Sequence, residues 1–207
     1  MLLNHLTDEV LDAFDGICYT VEPDGRIAAI GPGNWNRFAE TGGVNSPRAH
    51  DIRGRNLFDF VGGDEVGGHY RTILRELRRP EFSEWVMHFR CDGPDCKRGI
   101  RLVIRSLRED ETVTGYLFQS VVLEESLRPN LDLLDFEAMR RGLEHDRTRP
   151  LVTMCSYCQR VKDEVHTGGE WVSAERYYSL GGDSRVRLSH GVCPPCYKTV
   201  TESFVRN

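Results

Sequence analysis

Ser83-Glu84-Trp85-Val86-Met87-His88-Phe89-Arg90-Cys91 is the stretch from which the fold is read. Glu84, Val86 and His88 alternate with Trp85, Met87 and Phe89, the period of two that gives a strand two distinct faces. Arg98–Leu107 repeats the pattern, with Ile100, Leu102 and Ile104 set against Arg101, Val103 and Arg105. Thr112–Leu123 is the third run. The joins, Asp92-Gly93-Pro94-Asp95 and Arg108–Glu111, are rich in turn residues, so three consecutive strands are predicted.

Towards the N-terminus, residues 7–15 read as a short helix. Thr7 is its expected N-cap, Asp8 and Glu9 fill the first turn, Val10, Leu11 and Phe14 share a face, and Gly16 stops it. Ile17–Glu22 and Arg26–Ile30 flank the turn Pro23-Asp24-Gly25 as a hairpin. Trp35 and Phe38 mark a short helix closed by Thr41-Gly42-Gly43, and the polar residues 44–53 read as loop. Ile52–Phe60 is a small turn with an apolar landing. A longer helix over about 65–79 carries Tyr70, Ile73, Leu74 and Leu77 at helical spacing and ends at Pro80. Two strands, helices, then three strands predict an α+β fold, a five-stranded antiparallel sheet with helices covering one face.

Over about residues 8–123 this order and its local text resemble a PAS domain. The resemblance is carried by Tyr19-Thr20-Val21-Glu22-Pro23-Asp24-Gly25-Arg26-Ile27, Trp35-Asn36-Arg37-Phe38-Ala39, Arg53-Gly54-Arg55-Asn56-Leu57-Phe58-Asp59 and Gly115-Tyr116-Leu117-Phe118. It implies a sensory and dimerisation module with a pocket between sheet and helices, and signalling in place of catalysis.

Residues 124–150 are expected to form a helical connector between a first unit, 1–123, and a third, 151–207. Leu123, Leu127, Leu131, Leu134 and Ala138 are spaced four, four, three and four apart, a helical seam, with a kink at Pro129 or a restart at Asn130. That stripe packs either on its own sheet domain or on a second chain, as in a homodimer.

The third unit carries Cys155-Ser156-Tyr157-Cys158 and, 34 residues on, Cys193-Pro194-Pro195-Cys196. Two Cys-x-x-Cys pairs match what tetrahedral zinc requires, and a 57-residue segment is marginal without such a staple. Iron suits the same soft set, and His190 or His166 stands as a substitute ligand. Gln159 and Tyr197 follow the pairs where covalent haem attachment would need His, and no βαβ unit surrounds either pair as a thioredoxin-type site would need. Met1-Leu2-Leu3-Asn4-His5 has no basic start, so a cytoplasmic location is expected, where disulfides are disfavoured. Trp171, Tyr177, Tyr178 and Leu180 are the expected small core, with Ser173–Leu180 a helix ended by Gly181-Gly182. Leu151–Asp163, Gly169-Glu170-Trp171-Val172 and Leu188–Cys196 resemble the cysteine-bearing extension that follows PAS or receiver domains in bacterial sensory proteins.

In oxygen-sensing PAS domains that bind haem, the proximal His occupies a place on the helix like that of His69, so haem is carried as an alternative cofactor. His69 reads equally as a surface residue at a helix start. The Asn-Cys-Arg-Phe-Leu-Gln run of photoactive flavin PAS domains is absent; Asn36-Arg37-Phe38 is a fragment on a different helix. Cys91 and Cys96 flank a strand turn, either as a redox pair or as two unrelated thiols, and Cys18 reads as a small apolar strand residue. Glu22, Asp24, Asp163 and Glu164 read as turn and surface carboxylates, and a four-sulfur site leaves no open position for water, so no enzyme is expected.

Composition agrees with a soluble globular protein, and since no kinase motif set and no receiver-type acidic pocket appear, output is expected through a protein partner or dimerisation. Its 207 residues are 39% hydrophobic and 29% charged, with no apolar run of membrane-spanning length. The net charge is −5, and residues 151–207, with seven Lys/Arg and six Asp/Glu, carry only +1, too little basic character for nucleic acid. An interaction adaptor with an empty pocket is the other function class.

Overall fold

The computed structural model describes residues 5–41, 47–135 and 148–202. It begins with α1 (Asp8–Asp12), whose N-cap Thr7 accepts from the Val10 amide through Oγ1 at 3.4 Å. Strands β1 (Ile17–Val21) and β2 (Ile27–Ile30) form the expected hairpin. Then come α2 (Pro32–Thr41), α3 (Ala49–Ile52) and α4 (Asp64–Glu76). Strands β3 (Glu84–Arg90), β4 (Cys96–Glu109) and β5 (Thr112–Leu127) complete an antiparallel sheet in the order β2-β1-β5-β4-β3. This is the α+β fold with a five-stranded antiparallel sheet that the sequence predicts.

The alternating residues fill the core as the pattern requires. Trp85, Met87, Leu102 and Ile104 are buried beside Tyr116 and Phe118, both at 0% exposure. Tyr19 stacks on Phe118 at 4.9 Å between ring centres, and Tyr70 lies parallel on the same ring at 6.5 Å. A buried tyrosine hydroxyl must be satisfied. Tyr116 donates to the Leu74 carbonyl at 2.9 Å and accepts from Arg78 Nε at 3.1 Å, tying the sheet to the C-terminal end of α4.

Two expectations need correction. The polar stretch 44–53 is not all loop, because Ala49–Ile52 is a helical turn whose Asp51 carboxylate accepts from the Arg48 amide at 2.8 Å. Its signal was only two apolar residues three apart, Ala49 and Ile52, both buried. The helical connector is also overturned over its described part. Strand β5 runs on to Leu127, paired with β4 as far as Leu127 opposite Cys96. A spacing of four is a multiple of two, so Leu123 and Leu127 share a face on a strand as they would on a helix. Leu131–Leu134 then turns in a short 3-10 segment, with Leu131, Leu133 and Leu134 buried. Ala138 and the rest of the expected seam lie outside the described residues.

A second sheet follows, of β6 (Leu151–Cys155), β7 (Val161–Asp163), β8 (Glu170–Val172) and β9 (Arg187–Gly191), in the order β8-β7-β6-β9. Two helices belong to it, α5 (Ala174–Ser179) and α6 (Pro194–Glu202). Ser173 caps α5 by accepting from the Arg176 amide, and Gly181, at φ +97°, ends it. Val152, Met154, Val161 and Tyr177 pack with Leu131, Leu133 and Leu134, so the link between the sheets supplies part of the second core. The first core in turn takes in Cys155, Tyr157, Val192, Cys193 and Val200. Among the described residues, no helix is long and apolar enough to cross a membrane.

Candidate metal centre

Strand pairing brings the two Cys-x-x-Cys pairs together. Strands β6 and β9 are parallel, with Cys155 opposite Gly191, so both end at the same edge. Cys155 is the last residue of β6, and the chain turns there, with the Gln159 amide donating to the Cys155 carbonyl at 2.9 Å and Gln159 at φ +57°. Past β9, Val192 and Cys193 lead into α6, whose first turn holds Cys196. The turns are stitched by the Ser156 amide donating to the Gly191 carbonyl at 3.0 Å and the Cys193 amide to Cys155 Sγ at 3.4 Å.

All four sulfurs lie within 4.8 Å of one another. The Cys158 and Cys193 sulfurs are 3.6 Å apart. Four ligands at about 2.3 Å around a tetrahedral ion stand about 3.8 Å from each other, whereas a disulfide needs about 2.05 Å. The seven cysteines are free thiols, and the donor set fits a soft, four-coordinate metal ion. Cys155 and Cys193 are fully buried, while Cys158 and Cys196 are half-buried, so one edge of the tetrahedron faces outward.

Protonation in the cluster follows from crowding. Hydrogen bonds from the Cys158 and Cys196 thiols hold Cys155 far below the ordinary thiol range. The same bond to Cys155 pushes Cys158 up to about 12, and Cys196 is driven up by its bonds to Cys155 and Cys158. Four thiolates this close repel, and a bound cation is what allows all of them to ionise.

Both turns are fastened to the first sheet. The Arg90 amide, at the end of edge strand β3, donates to the Tyr157 carbonyl at 2.7 Å, and the Asp92 amide donates to Gln159 Oε1 at 2.8 Å. On the other side the Val192 amide donates to Glu65 Oε2 in the first turn of α4 at 3.0 Å. His69 is placed at this seam, half-buried, its Nδ1 3.2 Å from the Tyr157 hydroxyl and its ring 5.5 Å from that of Tyr197. Neither alternative histidine joins the sulfurs. His166 Nδ1 pairs with Asp163 at 3.0 Å, and the His190 ring lies beside Gly62.

A second fastening, not read from the sequence, centres on Asp92. Its side chain is 1% exposed and accepts from the Arg98 amide at 3.0 Å, from Arg128 at 3.1 Å and from Arg90. Arg128 is itself buried and reaches Glu175 of α5 at 3.5 Å, where Lys97 also pairs at 2.7 Å. Burial raises the Glu175 carboxyl, but the Lys97 bond and backbone donors outweigh it and bring it down to about 2. A buried Asp leaves no periodic trace; its one signal was a charged residue inside a Gly-Pro turn.

The remaining candidates divide. Cys96 is buried, and burial pushes the Cys91 thiol up, a setting that disfavours the reactive thiolate. Cys18 is buried in β1 as expected. Asp163 corrects its sequence reading. It is buried and accepts from the Val165 and His166 amides as well as from the His166 ring, so it holds a turn together.

No family model matches the chain, and no curated protein does. Among solved structures it is similar to the PAS domain of Bordetella pertussis BvgS, at 13% identity over 69% of this chain and 95% of that one, with a TM-score of 0.45. It is similar to a sensory box sensor histidine kinase of Vibrio cholerae, at 13% identity over 58% and 90%, TM-score 0.38. The PAS-B domain of Drosophila melanogaster Cycle, solved with bound glycerol, is similar at 11% identity over 52% and 99%, TM-score 0.35.

Proposed function

We propose that this chain is a cytoplasmic, non-catalytic PAS-type sensory protein whose C-terminal unit holds a structural zinc ion and which signals through contacts with a protein partner. The observation that carries the reading is the joint placement of the sulfurs and the seam. Four cysteines converge at the spacing of a closed tetrahedral site, and the residues beside them hold the edge of the sheet and the start of α4. A closed site has no position for water, so its role is structural. Bound zinc would supply the charge that lets four thiolates stand together. Tyr157, Gln159 and Val192 would carry that rigidity into the sensory fold. His69, engaged by Tyr157, is read as a seam residue in preference to a haem ligand.

The dimer reading is supported by Leu127, 87% exposed at the end of β5. The partner surface is assigned to that end. Elemental analysis of the purified chain is expected to give about one equivalent of zinc per chain, lost in Cys155→Ser and in Cys193→Ser. Iron in its place would change the metal and leave the structural role. Full cysteine reactivity with no bound metal in the folded chain would overturn the reading.

A further inference from the structure

The outward edge of the metal centre opens onto a groove of about 640 Å³, within the roughly 300–1,000 Å³ range of small-molecule sites. Its floor is the β3–β4 end of the first sheet, from which Trp85, Met87, Phe89 and Ile100 line it. Tyr157 and Val200 line it from the cysteine unit, and Leu123 and Glu124 from β5. Cys158 and Cys196 complete the wall, and these are the two half-buried ligands of the four.

Charge decides what suits this groove. Four thiolates around a divalent ion keep a net charge of about −2. Glu124 adds a carboxylate, the one guanidinium on the wall, Arg90, is drawn to Asp92, and the exposed His88 is the other basic side chain there. A neutral apolar guest would cover that anionic edge without compensating it, and an anion would be repelled. A cation with an apolar body meets aromatic surface and negative charge together, the combination by which proteins recognise organic ammonium groups.

We propose that this groove binds a small apolar cation of the aryl- or alkylammonium class, held between the aromatic wall of β3 and the Cys158–Cys196 edge of the metal centre. The inference rests on the metal reading above. Ligand and metal should stabilise one another, because both engage the Cys158 and Cys196 sulfurs.

The test uses the full, metal-loaded chain with three probes of similar body and different charge: benzyltrimethylammonium, benzyl alcohol and benzoate. Calorimetry is expected to show saturable binding of the cation alone, with amide shifts at Arg90, Gly99 and Thr199. Glu124→Lys and Leu123→Lys, both at exposed positions that leave the fold intact, should weaken it. Reversing one charge about 6 Å from the guest corresponds to about a tenfold loss in a water-like dielectric, so Glu124→Lys should lose about that much. Equal binding of the alcohol or the benzoate, or cation binding unchanged in both variants, would overturn the proposal. Metal content is measured on the same sample. One equivalent of metal with no cation binding refutes the groove alone, and a folded chain without metal refutes the centre and the groove with it.

Discussion

Replacing Asp92 with Ala would remove the carboxylate that Arg128 is buried against. The Arg128 side chain is only 4% exposed, and its Nε has no hydrogen-bond partner, so its charge depends on Asp92 and the more distant Glu175. Breaking a buried pair by deleting one partner costs about 3–5 kcal/mol. A 150–250-residue protein loses about 2–4 °C in Tm for each kcal/mol, so the unfolding midpoint should fall by roughly 6–20 °C. Asp92→Leu with Arg128→Met is the informative companion, since replacing both charges by apolar groups is often neutral or better. The assay is thermal and urea denaturation of the metal-loaded chain, followed by circular dichroism. The Ala variant should unfold early and the double variant should recover most of the loss. An Ala variant within 1 °C of the parent, or a double variant as weak as the single, would refute the account of Asp92 as the charge that makes burial of Arg128 tolerable.

Three further outcomes follow from the same contacts. Chelating the metal should raise hydrogen exchange at the Arg90 and Val192 amides, which donate into the seam, and leave Tyr116 and Phe118 protected; unchanged exchange would detach the centre from the sheet. Glu175, held at about 2 in the folded chain against an ordinary 4.5, contributes stability that is complete above about pH 4.5 and is lost as pH falls through 2. Acid also strips thiolate-bound metal, so the measurement is the difference in Tm between parent and Glu175→Gln, which should shrink between pH 5 and pH 2 and would count against the Lys97 pairing if it stayed constant. Leu127→Glu, at an 87% exposed position, should leave stability within about 0.5 kcal/mol yet shift the chain to monomer in light scattering; a parent already monomeric at all concentrations would remove the dimer reading.

The sheet was legible because its strands alternate, and alternation survives without any knowledge of tertiary contacts. Ile100, Leu102 and Ile104 are buried where the period of two puts them. The four cysteines were legible for a different reason: a ligand set is defined by element type and spacing, which chain order preserves. The connector failed where two periods coincide. Leu123 and Leu127 are four apart on either a helix or a strand, and what decides between them is the pairing of β5 with the early part of β4, a partner about 30 residues away in sequence. The seam was illegible for the same kind of reason. Tyr157 read as a spacer of a cysteine pair and Gln159 as the residue that follows it, and nothing local says that one would hold Arg90 and the other Asp92.

Those two residues tie the cysteine cluster to the first sheet. Had the cysteine unit a closed core of its own, an ion would stabilise that unit alone and the first sheet would be indifferent to it. Instead Cys155, Tyr157, Val192 and Cys193 belong to one apolar cluster with Trp85, Met87 and Leu102, while the second core draws on Leu131, Leu133 and Leu134 from the link. The parallel pairing of β6 with β9 sets both cysteine turns at one edge, and one turn is bonded to β3 while the other is bonded to α4. A tetrahedral ion fixes the distance between those turns, and so fixes the edge strand relative to the helix. A metal ion held there would therefore brace the first sheet against α4 as well as the cysteine unit.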